Sequence, residues 1–252
     1  MNAEREKHIR EILFQEKSVS VQELAQRLFA SESSIRRDLE SLERQNYLKR
    51  THGGAVLNAD IDLTKRIPYI IREEEQPEAK ACMARKAAKL LKSDSLIMLD
   101  ASTSACSLVP LLAEYTGIRV ITSGVRTLLK LEECHVRTIS TGGNLLSGSS
   151  SLVGPEALRT IAGYNADIAF CSCRGLTLDG TATDLSIEEN VVRQKMWEQA
   201  RVRVLLYSSQ KLGRQYIHNL CHVEEVDEVI SDMPLPKEWA GRIGRYRKRM
   251  DG

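Results

Sequence analysis

Between residues 78 and 235, short β-branched or aliphatic runs alternate with stretches of helical period, and this alternation constrains the fold more than any other feature. The strand candidates are 95–100, 119–122, 136–140, 168–173, 202–208 and 228–231. Helical patterns fall between several of them, at 104–115, 125–131, 155–162 and 187–200. A further helix, 78–91, leads into the first strand with Ala81, Ala84, Ala88 and Leu91 at helical spacing. Parallel strands need long crossovers, which helices supply. The pattern therefore predicts an α/β fold with a mostly parallel sheet and helices on its faces.

The first 57 residues have a different texture, dense in charge and helical in period. Three helices are expected, at about 3–15, 21–28 and 32–45. Ile9, Ile12 and Leu13 mark the inner face of the first, and Leu24, Ala25 and Leu28 that of the second. In the third, Ile35, Leu39 and Leu42 form a buried stripe. Ser31 stands where a hydroxyl can cap free amides. The opposite face carries Ser33, Ser34, Arg36 and Arg37 in its first turns, where a recognition helix meets base edges and phosphates. Arginine can bind guanine through two hydrogen bonds, and serine can take a phosphate oxygen. The next segment, 47–56, suits two short paired strands forming a wing, with Lys49, Arg50 and His52 toward a DNA backbone. His52 fits a phosphate contact and a plain turn position equally. The plain alternative for Arg36 and Arg37 is a solvated face paired with Glu40 and Glu43. Asp38 suits a structural role, orienting one of the two arginines.

Bulk charge does not make this chain a polycation: 36 Lys and Arg face 34 Asp and Glu, a net of +2. A nucleic-acid site must come from local placement. No apolar run approaches about 18 residues, so no membrane span is expected. The charged start, 1–10, lacks the apolar core of a secretory leader. The 6 scattered cysteines fit reduced thiols in a cytoplasmic protein better than a disulfide frame.

Two strings carry a family resemblance: Ser31-Glu32-Ser33-Ser34-Ile35-Arg36-Arg37-Asp38-Leu39-Glu40-Ser41-Leu42 and Arg50-Thr51-His52-Gly53-Gly54-Ala55. They resemble the winged helix-turn-helix of DeoR-type transcriptional regulators, with Ser34 where the family usually has threonine. The resemblance implies contact with double-stranded operator DNA.

In the α/β zone, Leu99-Asp100-Ala101-Ser102-Thr103-Ser104-Ala105 follows an apolar strand and opens a helix. Hydroxyls and amides at a helix N-terminus suit an anion. Asp100, at the strand end, could accept from sugar hydroxyls. Thr122-Ser123-Gly124 and Thr141-Gly142-Gly143-Asn144 repeat the theme at later strand ends. Ligands of open α/β sheets collect at such ends, so Asp100, Ser102, Thr103, Ser104, Thr122, Ser123, Gly142 and Gly143 are candidates for one effector pocket. Lys211 could add positive charge to a phosphate site or stand solvated in its loop.

These residues also resemble the DeoR-type sensor domain, from Arg72 and Lys80 through Asp100, Gly175, Gly180-Thr181 and Lys195 to Ser209-Gln210-Lys211. That domain shares the ribose-5-phosphate isomerase and CoA-transferase-like fold. The resemblance implies a repressor of a carbohydrate or related catabolic operon, modulated by a phosphorylated sugar or related metabolite. Ser102, Ser123 and Ser208 depart from the family's usual glycine, asparagine and aspartate. The expected organisation is a DNA-binding domain at 1–57, a linker at 58–77, an effector-binding and oligomerising domain at 78–235 and a basic tail at 236–252. A dimer or tetramer is expected, because single modules bind DNA weakly.

No cofactor and no metal are expected. Cys171-Ser172-Cys173 and His218-Asn219-Leu220-Cys221-His222 lack the looped spacing of zinc sites. The first pair is read as pointing its thiols to opposite faces of a buried strand. The alternative function is a sugar-phosphate isomerase or deaminase with an accessory DNA-binding domain. Asp100, Asp179, Asp184, Glu188 and Lys211 could act as acid and base, but no pair stands at a catalytic spacing, and an enzyme is not expected.

Overall fold

Helical apolar stripes and one small sheet build the first of two compact units, Met1–Glu75; the second is Gln76–Gly252. The computed structural model describes residues 2–44, 47–57, 69–146 and 148–244.

In the first unit, α1 (Asn2–Glu16), α2 (Val21–Arg27) and α3 (Glu32–Arg44) pack through Ile9, Leu13, Leu24, Ile35, Leu39 and Leu42, all at most 1% exposed. The break expected at 17–20 contains a strand, β1 (Ser18–Ser20). With β2 (Leu48–Arg50) and β3 (Gly54–Leu57) it forms an antiparallel sheet in the order β1-β3-β2. Position 54 must be glycine: a Cβ there would stand 2.2 Å from the Val19 carbonyl oxygen.

The expected linker at 58–77 contains structure where it is described. Tyr69–Glu74 forms α4, with Tyr69 and Ile71 buried, and Ile71 joins the first unit's core. The Tyr47 hydroxyl donates to Glu74 Oε2 at 2.7 Å. Residues 58–68 lie outside the described residues.

The second unit begins with α5 (Pro77–Ala88), which turns Met83, Ala84, Ala87 and, just beyond its end, Leu91 inward. Ala81 and Ala88 are only partly buried. The main sheet contains β4 (Leu96–Leu99), β5 (Arg119–Thr122), β6 (Arg137–Ser140), β9 (Ala166–Ser172), β12 (Ala200–Tyr207) and β14 (Glu228–Ser231). Its order is β14-β12-β9-β4-β5-β6, and every pair is parallel. Ile97 and Leu99 face one apolar cluster and Met98 the other, as a two-residue period requires. One expected helix, 104–115, is two: α6 (Thr103–Cys106) and α7 (Val109–Leu112). Pro110 explains the break, since it lacks an N–H and its ring clashes with the carbonyl four residues back.

The remaining helices are α8 (Val125–Glu133), α9 (Pro155–Ala162) and α10 (Ile187–Glu198). Two small antiparallel elements complete the unit. One is the hairpin β7 (Asn144–Leu146) and β8 (Ser151–Val153). The other is the sheet β10 (Gly175–Leu176), β11 (Thr181–Asp184) and β13 (His218–His222).

The described part of the expected tail is docked. Trp239 is fully buried, its Nε1 donates to the Leu178 carbonyl at 3.0 Å, and Arg242 pairs with Glu224 at 2.8 Å. Residues 245–252 lie outside the described residues.

Candidate functional site

Ser31 starts the recognition helix. Its carbonyl accepts from the amides of Ser34 and Ile35 at 2.9 and 3.0 Å, and its hydroxyl bonds Ser33 and Ser34 at 3.0 and 2.9 Å. The preceding turn places Phe29 at φ 48° with 97% of its surface exposed. Arg36 and Arg37 are exposed on the first turns of α3. Arg36 Nη2 donates to Glu32 at 3.0 Å and Arg37 Nε to the Ser33 carbonyl at 3.5 Å. Arg36 thus forms an exposed pair within its own helix, with Glu32 in place of the Glu40 or Glu43 named for the solvated-face alternative.

Glu43 fastens the wing instead. It accepts from the Arg50 amide at 3.0 Å and from Arg50 Nε at 2.7 Å. Those two bonds hold the Glu43 carboxyl below its usual value. Lys49 and His52 are exposed on the wing. The expected role of Asp38 needs correction. It is 1% exposed and pairs with neither neighbouring arginine; Arg5 of α1 holds it through two bonds, one at 3.2 Å. Asp38 thus ties α1 to α3.

In the second unit the site is built where the chain changes direction across the sheet. From β4 the chain steps outward to β5 and β6, then returns to β9 on the other side of β4. In open α/β sheets such a reversal leaves the ligand crevice beyond the carboxyl ends of the strands, here those of β4 and β9. Asp100 spans it: Oδ1 accepts from the Ser102 amide at 3.0 Å, and Oδ2 from the Ser172 amide at 3.1 Å.

A buried arginine completes the arrangement. Arg193 of α10, 5% exposed, donates Nε to Asp100 Oδ2 at 2.8 Å and Nη1 to Asp184 Oδ2 at 2.8 Å. Asn190 Oδ1 accepts from the same Nη1 at 3.0 Å, and Glu189 lies 3.8 Å from Nη2. Burial opposes the arginine's charge, but Asp184, Asp100 and Glu189 outweigh it, so its pKa stands well above the ordinary value. Arg193 is not among the residues the sequence points to. Its signal was a charge within the Val192, Met196 and Trp197 face of α10.

The other expected residues divide. Lys211 reaches the crevice: its Nζ donates to Ser172 Oγ at 3.0 Å, and that hydroxyl donates to the Leu206 carbonyl at 2.7 Å. Ser102 is the cap of α6, accepting from the Ala105 amide at 3.1 Å. Helix α6 has only 4 residues, so its macrodipole is small. Thr103 and Ser104 are buried beside Ser102. Thr122 Oγ1 accepts from the Gly124 amide at 3.1 Å, and Ser123 is 1% exposed. A Cβ on Gly124 would stand 3.0 Å from Ala101 Cα, so that loop abuts the Asp100 loop. Gly142 and Gly143 lie two strands away beyond β6, where Gly143 turns against Val153 and Ala157.

The cysteine expectation also needs correction. Residues two apart on a strand share a face, and Cys171 and Cys173 both join one apolar cluster. Burial pushes Cys173 up to about 11 and raises Cys171 and Cys221 well above the usual thiol range. Among the described residues, no group of three or more His, Cys, Asp or Glu could hold a metal ion. No helix among them is long and apolar enough to cross a membrane.

Comparison with known proteins defines the class. Residues 5–60 match the DeoR-like helix-turn-helix domain and residues 75–233 the DeoR C-terminal sensor domain. This pairing is that of a DNA-binding transcriptional regulator with a sensor. The chain belongs to the DeoR family.

Among its relatives, it is 33% identical to the uncharacterized HTH-type transcriptional regulator YulB of Bacillus subtilis, over 92% of this chain and 90% of that protein. It is 33% identical to the HTH-type transcriptional regulator GolR of Listeria innocua, over 93% and 92%. To the glycerol-3-phosphate regulon repressor of Escherichia coli it is 29% identical, over 92% of each. Among solved structures, it matches a chain of the tetrameric eIF2B-beta2-delta2 complex from C. thermophilum. That match has a TM-score of 0.50 and 10% identity, over 82% of this chain and 64% of that one, a likeness of fold.

Proposed function

We propose that this chain is a repressor of a carbohydrate or related catabolic operon, and that a phosphorylated sugar or related metabolite releases it from its operator. The observation that carries this reading is the Asp100–Arg193 cluster at the strand ends, with Lys211 on Ser172 beside it, in the same chain as a helix presenting Arg36 and Arg37. The relative named for the glycerol-3-phosphate regulon supports a phosphorylated effector.

In this reading Ser33, Ser34, Arg36, Arg37, Lys49, Arg50 and His52 meet DNA. Lys211, Thr103, Ser104 and the loops at Ser102, Thr122, Ser123, Gly142 and Gly143 form the effector pocket. Asp100 acts chiefly by positioning, because its oxygens already accept three protein bonds. The working form is a cytoplasmic dimer or tetramer. The mechanism is linkage: the effector binds the DNA-incompetent arrangement better and shifts the population toward it. The enzymatic alternative is weaker, since Asp100 and Asp184, its best acid–base candidates, are both held on Arg193.

The test is a thermal-shift screen against sugar phosphates. A ligand at about 100 times its Kd stabilises by about 2.7 kcal/mol, which is about 5–10 °C for a protein of this size. The reading expects a shift that Lys211→Ala abolishes. Absence of any shift across the panel contradicts the phosphorylated effector and leaves DNA binding intact.

A further inference from the structure

The opposite end of the main sheet holds an arrangement that neither DNA binding nor the crevice at Asp100 uses. Strands β5 and β6 begin with Arg119 and Arg137, which are register partners in a parallel pair. Register partners on neighbouring strands stand about 4.8 Å apart and project to the same face. Two cationic side chains therefore leave the sheet side by side. Like charges so placed destabilise a sheet.

Both arginines are exposed, and among the described residues neither has an ion-pair or hydrogen-bond partner for its guanidinium.

The pair lines a cavity of about 620 Å³, with His135 also on its wall. Ala113, Tyr115 and Val136 give it accessible apolar surface. Its one carboxylate, Asp94, lies against the Gly117 backbone: a Cβ at position 117 would stand 2.0 Å from Asp94 Oδ1. Strand β5 separates this cavity from the Thr122 end by about 10 Å, at roughly 3.3 Å per residue.

We propose that this cavity is a second small-molecule site. It takes an oxyanion, phosphoryl or carboxylate, between Arg119 and Arg137, and an apolar ligand body against Ala113, Tyr115 and Val136. Guanidinium groups bind both oxyanions through paired N–H donors. An oxyanion there also neutralises the like-charge pair. The site is independent of the effector reading, because it shares no residue with the crevice.

The experiment is calorimetric titration of the full-length protein with phenyl phosphate and with benzoate, each an oxyanion on an apolar ring. The proteins are the wild type, Lys211→Ala and the double variant Arg119→Gln/Arg137→Gln. At least one probe should bind wild type and Lys211→Ala alike, and the double variant should lose tenfold or more in affinity. The tighter probe identifies the oxyanion. The double variant should melt no lower than wild type, since it removes a repulsion, so lost binding cannot come from unfolding. Two results overturn the proposal. One is unchanged affinity in the double variant, and the other is no binding of either probe to wild type at millimolar concentration.

Discussion

Arg193 holds Asp100 and Asp184 on one guanidinium, 2.8 Å from each, and thereby ties α10 to the ends of β4 and β11. A buried pair of this kind adds little net stability over a well-packed apolar substitute. Breaking one side is costly, because a charge is left without compensation. Arg193→Leu should therefore destabilise the protein by about 3–5 kcal/mol, read as a lower urea midpoint. An unchanged midpoint would mean that the cluster does not hold the crevice together.

Arg36→Ala and Arg37→Ala address the DNA face. Arg36 has an exposed partner in Glu32 at 3.0 Å, and such pairs contribute about 0–1 kcal/mol. Melting should stay close to wild type while operator affinity falls. Each lost phosphate contact should reduce the log–log salt slope by about 0.9. Unaltered affinity in both variants would move the contact surface off α3.

The two glycines after β6 should respond differently to alanine. Both have positive φ, 64° at Gly142 and 104° at Gly143. A Cβ on Gly143 would stand 2.4 Å from the Val153 carbonyl oxygen, whereas one on Gly142 meets nothing within 4 Å. Gly142→Ala should cost about 1–2 kcal/mol from backbone strain alone, and Gly143→Ala clearly more. Equal melting temperatures would contradict the close approach at Gly143.

Glu74 gives the first unit a pH dependence. Burial raises its pKa above the ordinary 4.5, against the Tyr47 hydrogen bond and the Arg10 charge. The folded form then binds the proton more tightly than the unfolded form. Its contribution is fullest below the ordinary value and is lost as pH rises through the raised one. Glu74→Gln should remove that loss, melting higher relative to wild type at pH 7 than at pH 4. A constant difference between the two proteins would refute the assignment.

Much of this architecture was legible because its strands announce themselves. Parallel strands bury β-branched and aliphatic runs, so 119–122 and 228–231, each with only its first residue exposed, are recovered with identical bounds. Helix 155–162 likewise matches, opened by Pro155 at its first turn. What escaped was set by tertiary context. Strand β1 is 3 residues long, and the β10-β11-β13 sheet is short and mostly polar, so neither has a period to read. Asp100 stood out as a strand-end carboxylate, but its partner lies 93 positions away. Asp38 was recognised as structural with the wrong partner, because Arg5 reaches it only once α1 has packed on α3. Lys211 could not be told from a solvated lysine until Ser172 was seen 3.0 Å away.

The central claim is that one chain couples a phosphorylated effector to operator release. The most direct measurement is fluorescence anisotropy of the full-length protein on a duplex selected by it from a random pool, with and without the sugar phosphate that raises its melting temperature. Saturating effector should weaken operator binding at least tenfold, and Lys211→Ala should bind the duplex normally but no longer respond. An operator affinity that stays the same with the effector fully bound would contradict that claim.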